Sequence, residues 1–471
     1  MKTLKTILAI GLLSWLLTAH SLPVGRVATC SPTLTFTTVP PVGSSADLVG
    51  ETTCITPADY RVAIYIYVGG WWNKPTHGAP LTTINGDGSW TADIVTHPND
   101  VNATQLVAFL VPASYSPPLI SGTIFLPPSI RDSSVAETYV ARDDASHLTF
   151  SGYTWNIKTS VGLAGPGPNY FSDDVWVDGN GRLHLNILQK DGNWHSTEVV
   201  HTGPFALGYG RYSFSLASAV DQLDPNIILG LFTWDFSASE HAYREIDIEI
   251  ARWGNAADPT NAQYVIQPYT NSGNLSRFAT GNSATSLHRF TWCPDRVIFD
   301  SFSGLIADPN NLIASWENSG DDVPSADDDR EVSPRLNLWL MFGNAPTDGQ
   351  AETVIVDSFD YEELVENLAT MDDVMITDMG SNQVGLSWTA VSGAVAYELW
   401  EAASDFYFIP PATTCDQAAN CTVVDATSTT TSHDGSTPES YLLRPVNHCG
   451  TPATEFANRT GVFHFDVVAG S

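Results

Sequence analysis

The hexapeptide Glu245-Ile246-Asp247-Ile248-Glu249-Ile250 sets the strictest limit on how this chain can fold. Its acidic and apolar residues alternate without a break. A period of two is that of a β-strand, whose successive side chains leave by opposite faces. The three isoleucines require a core on one face; the three acids require water, a counter-ion or a reaction on the other. Carboxylates crowded on one sheet face repel, which raises at least one pKa and favours sharing of a proton. A carboxylic acid beside a carboxylate is what hydrolysis of a glycosidic bond needs, and the retaining version sets the two about 5–5.5 Å apart. On a flat strand, residues four apart have Cα atoms separated by ~13 Å at about 3.4 Å per residue. Glu245 and Glu249 therefore converge only on a curved strand of a concave sheet, with both side chains leaning toward Asp247. The same six residues also suit an amphipathic strand with a solvated acidic face, or a strand lending carboxylates to Ca2+.

The rest of the chain supplies such a sheet. Residues 131–366 contain ten or more β-like runs, among them 183–187, 209–216, 227–234, 288–292, 297–302, 336–341 and 354–359, and almost no helical periodicity. That density in some 235 residues predicts one large two-sheet jelly roll of the concanavalin-like kind, which is curved. The 471 residues suggest about three domains. Over 22–130, short strands at 60–68 and 90–94 alternate with glycine turns, which predicts a small immunoglobulin-like β-sandwich. Trp71 and Trp72 in that sandwich suit either sugar stacking or core packing. From 372 to 471, Val384, Leu386 and Trp388, then Tyr397 and Leu399, then 441–446 alternate again and resemble a fibronectin type III module, so the expected fold is all-β, with two smaller sandwiches flanking the jelly roll.

Lys2 and Lys5 precede an apolar run over 7–17, and Ala19 and Ser21 provide small residues for cleavage, so residues 1–21 read as a signal peptide of an exported protein. No later run approaches 18 apolar residues, so no membrane span is expected. Acidic residues outnumber basic ones 52 to 20, a net charge of −32. That field repels nucleic acid, anionic membranes and sulfated or uronic polysaccharides, and leaves neutral glycans as the fitting partner of a monomer. Of six cysteines, Cys30 with Cys54 and Cys415 with Cys421 suit local bridges, whereas Cys293 and Cys449 have no evident mates. His184, His195, His201 and His241 show no metal spacing, and Asp327, Asp328 and Asp329 read as a solvated loop. Asn169 beside the 165–168 turn, and Trp234 and Trp253 flanking the acidic strand, are candidates to line a cleft.

Taken together with the acidic strand, residues 150–152 and Trp155, 210–212, His288 to Pro294 with Val297 and Phe299, Asn337-Leu338-Trp339 and Val356-Asp357 resemble glycoside hydrolase family 16 over about half the chain. The resemblance implies that Glu245 is a nucleophile, Glu249 the acid/base and Asp247 the residue that tunes Glu245. It implies the branch of the family with no bulge residue between Ile248 and Glu249. It places Tyr243 and Gln267 at sugar-contacting positions, where Trp and Asn are commoner, and Asp357 where a structural Ca2+ is often held; no redox cofactor is implied. The expectation is a retaining endo-glycosidase acting on a neutral β-linked polysaccharide, a β-1,3 or mixed-linkage β-glucan. The rivals are a non-catalytic carbohydrate-binding protein on the same scaffold and an adhesion protein whose acids hold Ca2+.

Overall fold

A computed structural model describes residues 30–142, 145–326, 330–371, 373–403, 415, 418–432, 439–457 and 460–462. The expected signal peptide and Asp327, Asp328 and Asp329 lie outside them. The chain is all-β, and no helix of the described residues is long and apolar enough to cross a membrane.

Two sheets build the central region. The one bearing the acids runs Leu275–Phe278, Ala262–Ile266, Ile246–Ile250, Ile227–Trp234, Ser333–Leu340 and Asn193–His201. The other runs Leu183–Lys190, Glu352–Glu363, Gly210–Leu216, Ser286–Trp292, Val297–Ser303 and Leu312–Asn318. A hairpin pairing Leu188 with His195 links them into one path. This is the jelly roll that the strand density predicts. Ile246, Ile248 and Ile250 enter the core between the sheets beside Leu229, Leu231, Leu336 and Leu338. Burying each isoleucine stabilises the fold by about 1.5–3 kcal/mol, so the strand's register is fixed and its acids are committed to the outer face. Pairing on both sides of the strand is regular, with Glu249 opposite Gly230 and Gln263, so there is no bulge before Glu249.

In the N-terminal region a three-stranded sheet, Thr33–Thr38, Leu48–Thr53 and Ser89–Ala92, shares a core with a larger sheet containing Tyr60–Tyr67 and Gln105–Pro112. Ala136–Ala141 pairs with Gln105–Pro112, so this unit extends past residue 130 to 141. The larger sheet's other face carries Trp71 and Phe109 and receives Phe205 from the central region. Leu126 N donates to Pro204 O at 2.7 Å across the same joint.

The C-terminal region has a three-stranded sheet containing Gln383–Ser387 and a four-stranded sheet containing Ala396–Ala403 and Glu439–Val446. Trp388, Tyr397, Leu399 and Tyr441 form its core. Cys30 pairs with Cys54 and Cys415 with Cys421, as local spacing suggests. Cys293 and Cys449, 156 residues apart, pair with each other and tie the central region to the C-terminal one. Asn447 Nδ2 donates to Val365 O at 3.1 Å near that tie.

Candidate active site

The outer face of the acid-bearing sheet is ordered by register. Glu249 lies opposite Gly230, Gly230 opposite Asn337 and Asn337 opposite Glu198, a row across four strands. The next row brings Asp247, Phe232 and Arg335 into line. Alternation sends the outward side chains of these rows into one cavity of about 330 Å3, which Glu245, Asp247 and Glu249 all line. Trp234 and Phe236 line it beside the loop that leads to Glu245, and Trp339 lines it two residues beyond Asn337 along its strand. Gly230 keeps the floor open between Glu249 and Asn337: a Cβ there would lie 2.4 Å from Asn337 Oδ1.

Glu245 sits just before the regular strand, which begins at Ile246. It follows Ala242, Tyr243 and Arg244, with φ of 49°, 61° and 48°. Three successive non-glycine residues in the left-handed region are costly, about 1–3 kcal/mol each, and the surroundings hold them there. Arg244 forms a buried ion pair with Asp235 at 2.5 Å and donates to Ser325 O at 2.7 Å. Tyr243 stacks on Trp234 with centroids 4.3 Å apart. Arg244 thus fixes the entry to Glu245 from behind.

Each carboxyl group has its own partners. Gln267 Nε2 donates to Asp247 Oδ2 at 3.0 Å. Gln263 Nε2 donates to Glu249 Oε2 at 2.7 Å, while its Oε1 accepts from Trp253 Nε1 at 3.2 Å and from Arg277 at 3.1 Å. Trp253 therefore sets the amide's orientation, and the amide sets Glu249. Burial pushes Glu245 up to about 8, with Glu249's charge adding to it and Asp247's hydrogen bond and Arg335 opposing it. Burial raises Glu249 to about 7 against Gln263 and Arg277. Asp247, the most enclosed, is raised well above the carboxylate range by burial and by both neighbours. Its interaction with Glu245 lowers Glu245's pKa and raises its own.

Of the residues singled out in the sequence, Trp234 lines the cavity with the three acids. Tyr243 is not among the described lining residues and instead backs Trp234. Gln267 and Trp253 act on carboxyl groups, directly and through Gln263. Asn169 is a scaffold residue: it is buried, donates to Pro166 O and Leu340 O, and accepts from Ser196 and from Leu340 N. It pins the loop whose Gly165 and Pro166 reach the cavity. Asp357 offers a single half-buried carboxylate. Among the described residues no three His, Cys, Asp or Glu side chains gather around one ion site.

Sequence reasoning missed Glu198, Arg335 and Lys158. Glu198 is buried and bridges Lys158 at 2.8 Å and Arg335 at 3.2 Å, and all three line the cavity. Nothing local marks them; only the register beside Asn337 and Phe232 brings them to the site. Arg335 Nε, Asn337 Oδ1 and Trp234 Nε1 are buried without a partner in the cavity wall. Such orphaned polar atoms are costly and suit a polar ligand.

No known protein-family profile matches the chain, and no curated protein matches it in sequence. Among solved structures it is similar to a laminarinase from Flavobacterium sp. UMI-01, at 14% identity over 44% of this chain and 93% of that one, with a TM-score of 0.35. It is similar to a β-1,3-glucanase from Mycobacterium marinum, at 17% identity over 45% and 91%, TM-score 0.34. A pseudo-β-1,3-glucanase of Mycobacterium tuberculosis matches at 19% identity over 43% and 88%, TM-score 0.33.

Proposed function

We propose that the protein is an exported, retaining endo-glycoside hydrolase of the family 16 type, acting on a neutral β-linked glucan. The observation that carries this reading is the gathering of Glu245, Asp247 and Glu249 in one cavity, with all three pKa values raised. Burial raises both Glu245 and Glu249, Glu249's charge raises Glu245 further, and the pair as a unit holds one proton over the neutral range. That is the starting state for double displacement. In the reactive form the proton is on Glu249 and the negative charge on Glu245; Glu249 gives that proton to the departing glycosidic oxygen and becomes the carboxylate as Glu245 bonds to the anomeric carbon. Asp247's hydrogen bond and the Arg335 guanidinium favour the ionised Glu245 that makes this attack. In the second half-reaction Glu249, now a carboxylate oriented by Gln263, takes a proton from a water that attacks the anomeric carbon, and the bond to Glu245 breaks to release the sugar with its configuration retained. Trp234, Phe236 and Trp339 supply apolar surface for sugar rings in the same cavity as the acids.

Reducing-end release should be measured on laminarin, mixed-linkage β-glucan, xyloglucan, agarose and carrageenan. The reading expects release from a β-glucan and loss of at least about a thousandfold in both Glu245→Gln and Glu249→Gln. Retained binding without release from any polymer replaces it with a binding-protein reading.

A further inference from the structure

The strand Trp71–Lys74 presents its two tryptophans to opposite sides, as alternation requires. Trp71 is fully buried, and Trp72 is 39% exposed. Trp72 lines a second groove, of about 410 Å3, on the N-terminal sandwich, together with Lys74, His77, Thr96, His97 and Asn99. We propose that this groove is a second saccharide-binding site, in which Trp72 is the stacking platform and a neutral glycan chain is the ligand.

Three features of the groove identify that chemistry. The first is a fixed aromatic face. Trp72 Nε1 donates to Val68 O at 3.3 Å, so the indole's polar atom is used and its ring surface is what remains on offer. Gly122, with φ of +81°, lets the ring lie close against the neighbouring strand; a Cβ there would meet ring carbon Cζ2 at 3.1 Å. A rigid, half-exposed ring binds the C–H face of a pyranose at little entropic cost.

The second is a mixed set of donors and acceptors, which hydroxyl groups require. His77 Nε2 lies 3.1 Å from Ile120 O and donates to it, which makes its Nδ1 an acceptor. His97 Nδ1 accepts from Asn99 N at 3.2 Å, which makes its Nε2 a donor. The exposed Asn99 amide can supply either role. Buried Lys74 donates to Thr96 Oγ1 at 2.9 Å and to Asp100 Oδ2, two of its three ammonium protons.

The third is charge balance. Lys74 and Asp100 are the permanently charged groups in the lining, and they pair with each other. Apart from the two imidazoles, the groove therefore offers no unpaired charge to an anionic or cationic ligand. Flat aromatic surface, paired donors and acceptors and no unpaired permanent charge match a neutral sugar and not a peptide terminus, a phosphate or a uronate.

The test uses the full chain with Glu245→Gln to prevent turnover, run through native gels containing laminarin, mixed-linkage β-glucan or xyloglucan. Trp72→Ala should weaken retardation by at least one of these polymers about fivefold, and Trp72→Phe, which keeps a ring, should weaken it less. With Glu245 intact, Trp72→Ala should hydrolyse a short oligosaccharide at the wild-type rate. Unchanged retardation of both Trp72 variants, or no retardation of the parent by any of the three polymers, overturns the proposal. So does an equal loss in the Ala and Phe variants. Absence of turnover in the wild type counts only against the catalytic reading, because retardation is scored separately.

Discussion

Replacing Glu249 by Gln should make the protein more stable at alkaline pH while leaving it nearly unchanged in acid. Gln mimics the protonated carboxyl, and its Oε1 can still accept from Gln263 where Glu249 Oε2 does now. Glu249 is raised from 4.5 to about 7. An acid with a higher pKa when folded binds its proton more tightly in the folded state, so its contribution is complete below pH 4.5 and is lost as pH rises through 7. A shift of roughly 2.5 units at about 1.4 kcal/mol each makes about 3 kcal/mol lost by pH 8. Removing Glu249's charge also relieves Glu245, which changes stability in the same direction. For a domain of this size about 3 kcal/mol corresponds to roughly 6–12 °C in Tm. Calorimetric scans of wild type and Glu249→Gln at pH 4.5 and pH 8 read it directly. A Tm difference that does not change between the two pH values, or a variant less stable than wild type at pH 8, refutes the argument that Glu249 is held protonated by burial.

Three further outcomes are expected. Arg335→Met removes a cation that favours ionised Glu245, so the acid limb of the pH–rate profile should move to higher pH, and losing one of Glu198's two cationic partners should cost up to about 3 kcal/mol in unfolding experiments. Gly230→Ala forces a methyl group against Asn337 Oδ1 in the cavity floor and should cut kcat/KM more than about tenfold, at a stability cost of about 1–3 kcal/mol. Cys293→Ser with Cys449→Ser frees the C-terminal region from its covalent tie and should lower its unfolding transition by about 2–4 kcal/mol without changing hydrolysis of a short oligosaccharide.

The strands and the acidic face were legible because both are written in period two. The isoleucines between Glu245 and Glu249 specify the core side, and hence the cavity side, without any long-range information. Trp234 was picked out only because it flanks the acidic strand in sequence; the register of Ile227–Trp234, which puts it on the outward face with Gly230 and Phe232, decides that it lines the cavity. The Glu198–Arg335 pair spans 137 residues and exists only through pairing of two strands, a register that no local pattern states. The Cys293–Cys449 bridge was hidden by the same distance in sequence. Tyr243, Gln267 and Asn169 were recognised as belonging near the site, but side-chain direction decided their parts. Tyr243 is turned onto Trp234 by the left-handed loop, Gln267 is bound to Asp247, and Asn169 is bound to the backbone around Leu340. Of the two adjacent tryptophans in the N-terminal sandwich, Trp71 is core, as one reading of the pair expects, and Trp72 lines a groove, where the sugar-stacking reading is the proposal to be tested.

Double displacement through Glu245 is tested most directly by time-resolved proton NMR of the first sugar released from a β-glucan, before mutarotation mixes the anomers. The β-anomer should appear first, with no product from Glu245→Gln over the same interval. Initial release of the α-anomer, or undiminished release by the variant, contradicts the assignment of Glu245 as nucleophile.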